Sequence, residues 1–204
     1  MVDQMSDLYS IGYFPSFPCP FPLFLKLIQI NQLRSQAMTS IDISVECQGA
    51  ARDVLADVLA FSSEEWSEAK VSFRQEWLLI ARIFKAAIAA YCVVSLQSAS
   101  ALPHSPELVK TKDGETSCLL ELLQEAVTSP HVKKSLIWPL VVLGAINVEG
   151  RHASQTFVSK ELSRLSHGLG TALPLTAKSV LEAFWKSEKT SWDECFDQPY
   201  CFLT

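Results

Sequence analysis

Glycine is scarce, seven in 204 residues, and no long stretch alternates apolar with polar side chains, so a sheet-built fold has neither its turns nor its periodicity. Charge is also thin. Charged residues make up 19% of the chain against 49% hydrophobic ones, and Lys plus Arg (17) falls short of Asp plus Glu (22), giving a net charge of -5. A chain with that balance has no basic field to draw a phosphate backbone, which excludes direct nucleic-acid binding as its expected activity. The six cysteines, at 19, 47, 92, 118, 195 and 201, form no C-x-x-C pair and have no companion histidine at metal-ligand spacing. They read as reduced, buried small hydrophobes. MVDQMSD carries acids where a secretory signal needs positive charge, and prolines break the apolar region behind it, so an intracellular setting is expected.

Catalytic signatures are missing too. The chain has no GxSxG elbow, no HExxH and no phosphate loop. Its histidines (104, 131, 152, 167) fall in expected loops or on solvent faces, and Ser166 and His167, being sequence neighbours, point apart on a helix. GlyLeuGly at 168–170 follows a helix and lacks a third glycine, so it is a helix stop.

What is present is long apolar helix. WLLIARIFKAAIAAYCVVSL, 77–96, is interrupted only by Arg82, Lys85 and Ser95. Twenty such residues would span a bilayer, but each cation costs roughly 2.5–3.5 kcal/mol near the bilayer centre, so the run reads as a core helix. A second buried helix is expected over 131–147, kinked at Pro139, with two short helices meeting at Trp138–Pro139 as the alternative. Gly144 would let it approach 77–96 closely. The expected fold is all-α: an irregular array of about six to eight helices around 77–96 and 131–147.

The other elements follow from caps and periodicity. Residues 1–40 form a Phe/Pro-rich leader in which Pro15, Pro18, Pro20 and Pro22 exclude regular structure, with a short helix at 24–36. Residues 41–204 form the helical domain. Ser44 caps a helix ending near Phe61, Ser62 or Ser63 caps the next, with Trp66 beginning its buried side, and a break at 70–73 precedes the central helix. Ser98–Gly114 reads as a loop, followed by a helix from about Thr116. Amphipathic helices follow over 149–167 and from Pro174 to about Lys186. Asp193, Glu194 and Asp197 suggest a hard-metal site less well than a capped, solvated turn. No catalytic, cofactor or metal residue is assigned.

Four pieces taken together, LAFSSEEW, LIWPLVVLGAINVEG, LSRLSHGLGTALPLTAKSVLEAFW and SWDECFDQPYCFLT, resemble the C-terminal part of the fungus-specific regulatory domain of zinc binuclear cluster transcription factors. The resemblance covers roughly 45–204. It implies an all-α array without catalytic residues, in which Trp66, Trp138, Pro139, Gly144, Phe184, Trp185, Trp192, Phe196, Pro199 and Tyr200 serve as packing landmarks. It also implies a nuclear location and transcription-regulatory work through protein partners of the transcription machinery, a homo-dimer or a small effector. The six-cysteine cluster, basic linker and heptads of such factors do not occur in this chain, so zinc would belong to an absent N-terminal cluster and DNA binding does not carry over. That departure fits a truncated paralogue, a partial gene model or a regulator working through protein contacts. An enzyme of unknown chemistry and a membrane-associated helical protein are the alternative classes. Low surface charge adds the expectation of an exposed apolar face and self-association.

Overall fold

A computed structural model describes residues 19–40, 42–146, 152–198, 200 and 202. In chain order its helices are α1 (Phe21–Thr39), α2 (Val45–Ala60), α3 (Ser63–Glu68), α4 (Arg74–Ser98), α5 (Pro106–Ala126), a 3-10 turn (Val132–Ser135), α6 (Ile137–Ile146), α7 (His152–Leu169), α8 (Leu173–Trp185) and α9 (Trp192–Cys195). The described residues contain no strand. Among the described residues the helix count exceeds the expected six to eight because α3 and α9 are short capped turns of six and four residues.

The apolar run became α4, which is entered through Phe73 in the left-handed conformation (φ 55°). That residue is the anticipated break, since its dihedrals end any preceding helix. From Ile80 to Leu96 nearly every α4 side chain is buried. The two cations leave by one face: Arg82 holds the Glu64 carboxylate with two nitrogens (2.6 and 3.2 Å), and the Lys85 ammonium donates to the Phe61 carbonyl at the end of α2 (2.8 Å). Length and composition would let α4 cross a membrane, but 72% of its apolar window lies inside the fold. α6 packs across it, with the Trp138 ring stacked on Phe84 at 6.0 Å. α6 is almost wholly apolar, and nine of its ten residues are buried.

Several expectations are corrected here. The helix foreseen at 24–36 runs from Phe21 to Thr39, because Pro22 stands in the first turn, where a proline forfeits no helix hydrogen bond. Its Leu23, Leu27, Ile30 and Ala37 recur at helical steps and are buried. Pro15 and Pro18 lie outside the described residues. The loop foreseen at 98–114 is helix from Pro106 onward. Ser105 accepts from the Leu108 N–H (3.3 Å), Pro106 opens the helix, and Asp113 and Gly114 ride on its exposed side. Turn-type residues were outvoted by a cap and by the buried stripe Thr116, Leu119, Leu123 and Ala126.

Pro139 does not kink a continuous helix. The chain breaks at Leu136 between the 3-10 turn and α6, leaving Pro139 in the first turn of α6, where its missing N–H has no helical partner to lose. Gly144 admits α8 rather than α4: a Cβ there would lie 2.6 Å from Leu181 Cδ1 and 3.3 Å from the Trp185 ring, and the Trp185 indole N–H donates to the Gly144 carbonyl (2.9 Å). In α3 the buried positions are Ser63 and Ser67, while Trp66 is half-buried and meets Trp77 edge-on at 6.0 Å.

Other readings hold. Ser44 and Ser62 cap α2 and α3, and Gly170 (φ 65°) ends α7. Cys19, Cys92 and Cys195 are buried, but Cys118 is exposed. The large exposed apolar side chains Met38, Val45, Val71, Phe73, Val109 and Leu175 sit on five separate segments.

Candidate functional site

Where α1, α4, α6 and the tail meet, they leave a cavity of about 560 Å³. From α1 come Leu27, Asn31, Arg34 and Met38, whose spacing of four, three and four residues puts them on one helical face. α4 gives Tyr91, α6 gives Trp138 and Val141, and the tail gives Trp192, Asp193, Phe196 and the rings of Tyr200 and Phe202. The tail is set by a capping box: Ser191 and Glu194 satisfy each other's backbone N–H groups around the start of α9. Hydrogen bonds from the Ser191 side chain and from backbone N–H groups hold the Glu194 carboxyl below its ordinary range.

Aromatic contacts run through the wall. Tyr91 meets Trp192 at 4.8 Å and Trp138 at 5.9 Å, both edge-to-face, the geometry preferred by ring quadrupoles. Trp192 leans on Phe196 (5.1 Å), and Tyr200 stacks on Phe202 (5.3 Å). The Tyr91 hydroxyl donates to Asn31 Oδ1 (2.5 Å), and burial pushes its pKa up, so it remains a neutral donor.

One ion pair crosses the rim. Arg34 of α1 pairs with Asp193 of α9, whose second oxygen accepts from the Ser98 hydroxyl at the end of α4. The Arg34 Nε is buried and has no hydrogen-bond partner. Asp197 accepts from the Tyr200 hydroxyl (2.8 Å). Thus the three carboxylates weighed as a metal site turn to three different partners, and no group of three metal-ligating side chains occurs among the described residues. All four histidines are exposed and none lines the cavity. The cavity wall therefore offers stacking surface and hydrogen-bond donors, with no nucleophile paired to a base.

Of the sequence landmarks, Trp138, Trp192, Phe196 and Tyr200 line this cavity. Gly144 and Trp185 form the α6–α8 contact, Trp66 lies far along α3 beside Trp77, and Pro199 is outside the described residues. The residues that sequence reasoning missed are Asn31, Arg34 and Tyr91. The α1 face could have been found from its Leu27–Asn31–Arg34–Met38 spacing; Tyr91 is hidden inside an apolar run.

Fold and site together define an all-helical domain, among the described residues, with an aromatic-walled cavity between its first helix and its tail. The chain belongs to the fungal specific transcription factor domain family, whose model matches residues 2–202 and so takes in the Phe/Pro run that the resemblance had left out. It is 39% identical over 201 residues to the phomenoic acid biosynthesis cluster-specific transcriptional regulator of Leptosphaeria maculans, covering 98% of this chain and 39% of that protein. The chain thus spans about two-fifths of that relative's length. Both findings are of transcriptional regulators, not enzymes. No solved structure matches.

Proposed function

We propose that this chain is the regulatory part of a nuclear transcription factor that governs a biosynthetic gene cluster. It acts through contacts with protein partners of the transcription machinery or with a second copy of itself, under control of a small effector, and does not touch DNA directly. No cofactor of its own enters this reading, and neither does a membrane. The observation that carries it is the cavity: aromatic walls and an Arg34–Asp193 ion pair, with no catalytic constellation among the described residues, suit a receptor site. The acidic balance of the chain supports the exclusion of DNA contact.

The test is to fuse the chain to an unrelated DNA-binding domain in a fungal reporter strain. A change in reporter output that depends on the chain is expected. Output equal to that of the DNA-binding domain alone would refute the regulatory reading. Fluorescence anisotropy with labelled duplex DNA at low salt should show no saturable binding by the unfused chain, and saturable binding would refute the exclusion of DNA.

A further inference from the structure

We infer that the tail from Ser191 onward is a lid: it lifts as a unit about residues 188–190 while the helical body stays folded, and so uncovers the cavity face of α1, α4 and α6. Such a motion goes beyond the regulatory role above, because it needs no guest in the cavity.

The tail is built unlike the body it rests on. Among its described residues only Cys195 and Phe202 are buried, whereas nearly every α4 side chain from Ile80 to Leu96 is. A segment with few buried apolar contacts opens at a lower free energy than the core beneath it. Trp192, Phe196, Tyr200 and Phe202 also face the cavity of about 560 Å³, and a ring that faces a cavity forgoes dispersion contacts on that side. Residues 188–190, which lead into the tail from α8, are all exposed. The turn of α9 is self-contained, since the Ser191–Glu194 capping box lies wholly within the tail and survives its departure. Two polar fastenings converge on one side chain, Asp193, which pairs with Arg34 and accepts from the Ser98 hydroxyl. In the closed arrangement Arg34 Nε is buried without a partner, so opening lets water satisfy that donor and offsets part of the cost.

Two thiols report the motion. Cys195 rides on α9 and Cys92 sits in α4, 5% and 0% exposed. The full chain is treated with iodoacetamide near neutral pH over a series of low urea concentrations, and the label on each cysteine is timed by fragment mass spectrometry. Cys195 should react at least about tenfold faster than Cys92, which waits for global unfolding. Its rate should stay nearly flat with urea while that of Cys92 climbs, because lifting the tail exposes little surface and unfolding the body exposes much. Cys195 labelled no faster than Cys92, or with an equally steep urea dependence, would overturn the inference. Asp193→Ala removes both fastenings and should speed Cys195 labelling about tenfold, the ratio for one net hydrogen bond to a charged group. An unchanged Cys195 rate in that variant would also overturn it, since the thiol would then be reached without the tail lifting. If the variant fails to fold, the urea series on the native chain decides alone.

Discussion

Two glycines inside helices should respond to the same substitution with opposite signs. Gly114 sits in the middle of α5 with nothing within 4 Å of where a Cβ would stand. Gly114→Ala should therefore stabilise the fold by about 0.5–1 kcal/mol, the propensity difference alone. Gly144 in α6 gains at most the same propensity, but its new methyl would meet Leu181 Cδ1 at 2.6 Å and the Trp185 ring at 3.3 Å. Leu181 is fully buried, so turning its Cδ1 aside presses on the neighbours packed around it. Overpacking of this kind costs typically about 1–3 kcal/mol, and displacing α8 also strains the indole bond to the Gly144 carbonyl (2.9 Å). Net destabilisation by about 1–2 kcal/mol is expected for Gly144→Ala, so the two variants should differ by roughly 2 kcal/mol. At 2–4 °C per kcal/mol for a domain of this size, that is a separation of about 4–8 °C in Tm, read by circular dichroism. Leu181→Ala should cost less in the Gly144→Ala background than alone, because it removes the collision. A Gly144→Ala variant as stable as Gly114→Ala would refute the close approach of α6 and α8.

Trp138 is 9% exposed and stacks on Phe84, so Trp138→Ala should cost about 3–5 kcal/mol in urea unfolding; a loss under about 1 kcal/mol would place it outside the core. Burial pushes the Cys92 and Cys195 thiols up to about 12, from an ordinary value of 9.0. Their folded pKa is raised, so stability is fully present below pH 9 and falls as pH climbs from 9 toward 12, because only the unfolded chain can release these protons. A urea midpoint that stays flat across that interval would contradict this. In the native state Cys118, the exposed thiol, should react with a thiol reagent ahead of Cys92; the reverse order would contradict the burial pattern.

How much of this was legible in the sequence depends on the kind of signal. α4, the caps Ser44 and Ser62, the stop at Gly170 and the helix opened by Pro174 were readable because each rests on local chemistry. Pro22, Pro106 and Pro139 were misread for one shared reason. A proline is a helix breaker or a helix starter according to whether it stands past the first turn, and that boundary is the least local thing about a helix. Gly144 was rightly read as a place of close approach, but its partner was not, since sequence spacing shows that a face is open and not which helix fills it. The cavity was half visible. Its tail aromatics stood out, while Asn31, Arg34 and Tyr91 became a site only when α1 was laid beside the tail.

The ion pair between Arg34 and Asp193 joins the earliest described helix to the latest. On a ribosome the α1 side of the cavity is made long before its opposite wall exists, so the cavity closes only after α9 has emerged, and contacts of such sequence separation form late in folding. A frameshift or splice change that alters only residues beyond α8 would spare α4 and α6 yet deny the cavity a wall. Such an allele would uncover the core that Cys195 and Phe202 help to close while leaving the α4–α6 packing in place, so its damage would begin at the cavity.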